Sequence, residues 1–87
     1  MPRYARKRDE NEMSIFDALR VAGCDPWRFD DFDIGARHID GYGVMIEVKV
    51  AKGKLRERQI RLANLFGDRY RIARTPEQGL IACGRLA

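Results

Sequence analysis

Apolar residues in this chain recur first at helical spacing and then, abruptly, at strand spacing. Ile15, Phe16, Leu19 and Ala22 fall on one helical face, which predicts a first helix from residue 11 or 12 to residue 22, ended by Gly23 as a C-cap. The period then shortens to two. Residues 34–38 and 42–50 read as the arms of a hairpin closed around Ile39-Asp40-Gly41, where Asp-Gly supplies the positive φ angles of a tight turn. Along the second arm Val44, Ile46, Val48 and Val50 share one face and Glu47 and Lys49 the other, because strand side chains alternate. Residues 27–32 carry a weaker strand signal, crowded with Asp. A turn at 51–54 leads to a second helix over 56–66, stopped by Gly67, with Ile60, Leu62, Ala63, Leu65 and Phe66 expected to pack inward. Residues 70–73 alternate as a short strand. Thr75-Pro76-Glu77-Gln78 then opens a third helix, with Thr75 as N-cap, Pro76 in the first turn and Gln78 closing a capping box.

The predicted order is helix, three-stranded meander, helix, strand, helix, an α/β chain of the α+β kind with a mixed sheet. Residues 1–10 offer almost no apolar periodicity and read as a basic, flexible N-terminal arm, leaving 11–87 as a single domain. At 87 residues the chain is near the lower size at which one core suffices, so pairing with a second subunit is an economical way to gain core. Hydrophobic residues at 45% and charged residues at 34% describe an ordinary soluble domain, and no stretch nears the roughly 18 apolar residues of a membrane span. The basic N-terminus runs into acidic residues rather than an apolar stretch, which argues against a secretion signal and predicts a cytoplasmic location. Cys24 and Cys83 have no partner at metal-ligand spacing and read as reduced, partly buried small apolar residues.

Charge is distributed more tellingly than its net +4. Between Lys49 and Arg61 lie six basic residues, Lys49, Lys52, Lys54, Arg56, Arg58 and Arg61, against one acid, Glu57. Just upstream, Asp25, Asp30, Asp31 and Asp33 form an acidic cluster. A basic belt beside an acidic pocket suits a protein that grips a phosphate backbone and holds a cation at the scissile bond, whereas a single charge run is more often a solvated helix face. Folding the hairpin at Asp40-Gly41 pairs residues whose numbers sum to about 81, so Asp33 should lie opposite Val48 and beside Glu47 and Lys49. Two carboxylates and the Val48 carbonyl are hard oxygen ligands of the kind Mg²⁺ or Mn²⁺ prefers, with the remaining positions left to water and substrate phosphate. Asp31, two residues away on the same strand face, is a rival ligand to Asp33.

Taken in order, Asp33, Glu47-Val48-Lys49 and Gln59 resemble the PD-(D/E)xK nuclease signature in its minimal form, the virus-type replication-repair nuclease (VRR-NUC) domain. Stand-alone phage members are similar to this chain at Arg8-Asp9-Glu10-Asn11-Glu12, Ala18-Leu19-Arg20-Val21-Ala22-Gly23-Cys24, Phe32-Asp33-Ile34 and Ile46-Glu47-Val48-Lys49. The likeness continues through Lys52-Gly53-Lys54-Leu55 and Gln59 to Arg74-Thr75-Pro76-Glu77-Gln78, almost the whole chain. It implies a PD-(D/E)xK nuclease-like αβββαβ core with a C-terminal helix. It implies roles as well. Asp33 and Glu47 ligate the metal, Val48 adds its carbonyl, Lys49 orients the attacking water or stabilises the pentacovalent phosphate, and Gln59 fixes Lys49 or the water from above. Glu12 matches an acidic residue that helps bind metal. Lys52, Lys54, Arg56, Arg58, Arg61 and Arg8 would contact DNA. The implied activity is a Mg²⁺- or Mn²⁺-dependent endodeoxyribonuclease, structure-selective on branched DNA such as Holliday junctions or flaps, acting as a homodimer without a nucleotide cofactor and leaving a 5′-phosphate and a 3′-hydroxyl. Phe32 stands where a Pro is common before the Asp, Ser14 where a second Glu is common, and Arg56 where Ser or Thr is usual as helix N-cap, a substitution worth about 1 kcal/mol.

Other residues have plainer readings. His38 is a lone histidine in a chemistry that needs no protein base, and fits a strand or interface position. Trp27, Phe29 and Tyr42 fit the core better than base-stacking platforms. Two other functions fit the same residues: an accessory DNA-binding module of the same fold that cuts weakly or not at all, and an interaction protein in which Glu47 and Lys49 are merely solvated.

Overall fold

A computed structural model describes residues 10–29, 33–49 and 55–86. The elements follow in the order α1 (Glu10–Val21), β1 (Trp27–Arg28), β2 (Ile34–Arg37), β3 (Gly43–Val48), α2 (Glu57–Phe66), a 3₁₀ turn (Gly67–Arg69), β4 (Tyr70–Ala73) and α3 (Pro76–Ala82). This is a small α+β fold of three helices and a four-stranded mixed sheet, in the order αβββαβα. The strands lie β1-β2-β3-β4 across the sheet, antiparallel except for the parallel β3–β4 pair. α2 makes the crossover that such a parallel pair requires.

Each boundary has a local cause. At the end of α1 the Cys24 N–H bonds the Leu19 carbonyl and the Gly23 N–H that of Arg20, with Gly23 in the left-handed region. The β2–β3 connection, residues 38–42, has a three-residue tip at 39–41. His38 and Tyr42 close it through a 2.8 Å bond from the His38 N–H, and Gly41 takes φ 102°, a conformation that an L side chain resists. Thr75 caps α3 by accepting the Gln78 N–H at 3.1 Å. The Gln78 side chain reaches back one residue further than a capping box does, to the Arg74 N–H at 2.6 Å.

One face of the sheet presents Ile34, Ala36, Val44, Ile46 and Ala73 to α1 and α3, whose Ile15, Leu19 and Ala82 complete the core with Cys24 and Cys83. The alternation expected along β3 holds, with Val44 and Ile46 buried and Glu47 on the opposite face; Val50 lies outside the described residues. The two cysteines are fully buried rather than partly so, and touch one another. No helix among the described residues is long and apolar enough to cross a membrane.

Two expectations about packing need correction. Ile60, Leu65 and Phe66 of α2 are exposed, Leu65 at 74%. Among the described residues α2 packs mainly on β4 and the 3₁₀ turn, so one narrow stripe, Gln59 with Leu62 and Ala63, finds protein to cover it. Trp27 and Phe29 are likewise exposed, Trp27 at 69%, because β1 is a two-residue strand at the sheet edge. Of the predicted strand over 27–32 only Trp27 and Arg28 pair; residues 30–32 lie outside the described residues. Tyr42 is half-buried against the core, as expected.

Candidate metal centre

β2 and β3 pair in a register in which partner numbers sum to 80, for example Ile34 with Ile46. That is one less than the sequence implied and sets Asp33 across from Glu47, with Val48 diagonal to it. The Asp33 carboxylate extends the ladder beyond the last backbone pair, its Oδ2 accepting the Val48 N–H at 2.7 Å. Lys49 donates its backbone N–H to Ala73 of β4, so the N–H and C=O of Val48, one residue earlier, face the other way, towards Asp33. The end of the hairpin thus brings the Asp33 and Glu47 carboxylates together, with the Val48 carbonyl turned to the Asp33 side of the strand.

Glu47 does not lie on a wet face. It is 8% exposed and Asp33 2%, because the β3–α2–β4 crossover brings Tyr70 over the same side of the sheet. The Tyr70 hydroxyl donates to Glu47 Oε1 at 3.1 Å, and Tyr70 as a residue is 3% exposed. Burial first, then the neighbouring Asp33 carboxylate, push the Glu47 carboxyl above the ordinary carboxylate range; the Tyr70 hydrogen bond and the Lys49 ammonium pull it back. The Tyr70 phenol is in turn pushed up, by burial and then by the Glu47 charge, with the Arg58 guanidinium opposing. Two acids in hydrogen-bonding reach of each other, held against their own repulsion, form a site that favours a cation.

Lys49 joins the pair through its charge on Glu47, and its backbone is fixed on both sides. Its N–H goes to Ala73, and its carbonyl accepts Asn11 Nδ2 at 2.9 Å, tying the start of α1 to the end of β3. Gln59 is buried at the third position of α2, where its Oε1 accepts the Arg56 N–H at 2.9 Å. Its carbonyl oxygen therefore stabilises the helix start, compensating for Arg56 as N-cap. Glu12 is buried on α1 and paired with Arg28 at 3.4 Å, whose guanidinium also lies 3.8 Å over the Phe16 ring. Among the described residues no three His, Cys, Asp or Glu side chains are grouped to hold one ion, so Glu12 is not brought to the Asp33–Glu47 pair as a third ligand.

Arg58 and Arg61 are exposed on α2 and Arg56 is exposed at its N-cap; Arg61 pairs with Glu57 at 3.3 Å. Lys52, Lys54, Arg8 and the rival ligand Asp31 lie outside the described residues. His38 serves the hairpin turn. It stacks on Tyr42 at 4.4 Å and its Nδ1 accepts the Asp40 N–H. Asn11 and Tyr70 contact the centre, and Arg28 holds Glu12, without being candidates in the sequence. Only Tyr70 carried a signal, since a tyrosine opening a buried strand needs a partner for its hydroxyl.

The donor set is all oxygen, two carboxylates and a backbone carbonyl, which fits a hard divalent cation that keeps several waters. Compared with known proteins, the chain matches no family model, no curated protein and no solved structure.

Proposed function

We propose that this protein is a Mg²⁺- or Mn²⁺-dependent DNA endonuclease, and that it acts on branched DNA as a homodimer. The observation that carries the reading is the buried Asp33–Glu47 pair, set across one strand pair with the Asp33 carboxylate bonded to the Val48 N–H and the Lys49 ammonium near Glu47. A divalent ion held there would supply charge neutralisation at the phosphodiester and lower the pKa of water. Asp33, Glu47 and the Val48 carbonyl would hold it. Lys49 would balance the charge that gathers on the non-bridging oxygens as water attacks in line with the departing 3′-oxygen; the phosphorus–oxygen bond to that 3′-oxygen breaks, and the oxygen leaves as a hydroxyl after taking a proton. Arg56 at the N-cap of α2 and Arg58 and Arg61 on its exposed face supply backbone contacts that carry no sequence information, which suits an enzyme choosing DNA by shape. Two copies would allow symmetric cuts on opposed strands.

A second reading is favoured by one observation. Glu12 is engaged by Arg28, and the described residues provide two acids rather than three. An accessory DNA-binding module of the same fold, cutting weakly or not at all, fits that arrangement. A cleavage panel on junction, flap and plain duplex DNA of matched length, with Mg²⁺ or Mn²⁺, separates the two. The nuclease reading expects metal-dependent cutting that falls at least about a hundredfold in Lys49→Ala. Binding without any metal-dependent cutting by the parent protein supports the accessory module instead.

A further inference from the structure

The register places a row of residues beside the acidic pair, on the same face of the sheet. Trp27 pairs with Gly35, Gly35 with Met45, and Met45 with Tyr70, one step of two residues, roughly 7 Å, from the row that holds Asp33 and Glu47. A groove of about 480 Å³ opens along that row, floored by Gly35 and Met45, walled by Trp27 and Phe29 and rimmed by the Arg37–Asp25 ion pair at 2.7 Å. Its volume falls within the roughly 300–1,000 Å³ typical of small-ligand sites. Phe29 bridges the two rows. Its N–H bonds the Asp33 carbonyl at 3.3 Å, and its ring lies so close over Gly35 that a Cβ there would sit 2.5 Å from the ring edge. Gly35 is what lets the ring lie down on the sheet.

We infer that this groove receives one unstacked nucleobase of the DNA strand whose phosphate sits at the Asp33–Glu47 pair. The inference deepens the nuclease reading and rests on it for the position of that phosphate. The occupant follows from chemistry and continuity. An indole that is 69% exposed offers a π-face to a base, which is how single strands are held without reading their sequence. The step of two residues from acidic row to groove is about one nucleotide of an extended strand. The substrate class is therefore DNA with a locally unpaired nucleotide at the cut, as at a junction or flap, since a fully stacked duplex offers no base to the groove.

The test uses Trp27, the single tryptophan of the chain, as its reporter. In EDTA, intrinsic fluorescence is titrated with a short oligothymidylate and with an abasic oligomer of the same length and charge. The groove predicts quenching by oligothymidylate and binding about tenfold or more weaker for the abasic oligomer, the size expected from one stacked base. Trp27→Leu should abolish that difference in a competition assay. Gly35→Ala, which forces the Phe29 ring off the sheet and keeps the reporter, should shrink it, with thermal unfolding confirming that both variants fold. Equal affinity for the two oligomers with unchanged Trp27 emission would overturn the inference. So would an emission shift that depends on protein concentration without DNA, which would assign the groove to a second copy. Metal-dependent, Lys49-dependent cutting with base-insensitive binding refutes the groove alone, whereas base-sensitive binding without cutting refutes the nuclease reading and leaves the groove standing.

Discussion

Tyr70→Phe isolates what holds the candidate centre in shape. The substitution deletes one buried hydroxyl, its 3.1 Å donation to Glu47 Oε1, and nothing else of the ring. A hydrogen bond to a charged acceptor contributes roughly 1.5–3 kcal/mol, and one between neutral groups about 1 kcal/mol. The loss must therefore depend on whether Glu47 is ionised. Burial and Asp33 hold the Glu47 carboxyl above its ordinary value of 4.5, and the Tyr70 bond is one of two effects that lower it. Without the hydroxyl the carboxyl protonates at still higher pH. Above that range the variant should lose about 2 kcal/mol, or about 8–16 °C in Tm for a domain of this size; near the ordinary carboxylate value the loss should shrink to about half. Thermal unfolding in EDTA, followed by circular dichroism at one pH on each side of the Glu47 titration, measures both. A destabilisation that is absent, or identical at both pH values, refutes the reasoning, because it would mean that the hydroxyl is not engaged with an ionisable partner.

Further outcomes follow from the same contacts. Glu47 binds its proton more tightly folded than unfolded, so its contribution is fully present below the unfolded value near 4.5 and is lost as pH rises through the higher folded value; melting of the metal-free protein should fall over that window, and Mn²⁺ should restore Tm at neutral pH while doing little at acid pH. Burial first, and then Cys24 alongside, push the Cys83 thiol up to about 12, so thiol reagents should label Cys83 only after denaturation, and rapid labelling of native protein would contradict its place in the core. Gln59→Ala should cost about 1 kcal/mol of stability by removing the acceptor for the Arg56 N–H; a loss of cutting far beyond that, in protein that still melts cooperatively, would assign Gln59 a direct part in the chemistry.

Local signals placed the elements, because each was punctuated by a residue with a backbone reason to be there. Gly23 and Gly67 end helices, Asp40-Gly41 turns the hairpin, and Thr75-Pro76 opens α3. The same turn brought Asp33 to Glu47 within one residue of the observed register, so the acidic pair was legible from a single strand pairing. What the sequence did not disclose depends on contacts distant along the chain. The burial of Glu47 was not legible in the alternation of its strand, because it depends on the parallel β3–β4 pairing that puts Tyr70 over it. The exposure of Trp27 follows from how little of β1 pairs, and that of Leu65 from α2 covering a sheet edge rather than its centre; hydrophobic pattern alone assigns both inward. The contact between Cys24 and Cys83 joins the end of α1 to the end of α3, two points that no local spacing connects.

The proposed function requires the Glu47 carboxylate, set against Asp33, to hold a catalytic cation. Glu47→Gln tests it most directly, since the amide keeps the size of the side chain and an acceptor for Tyr70 while removing the charge that would hold a cation. Cleavage of a labelled four-way junction should require Mg²⁺ or Mn²⁺ in the parent protein and fall at least about a hundredfold in the variant, with melting intact. Equal cutting by both proteins, or none by the parent protein in either ion despite a native fold, would contradict it.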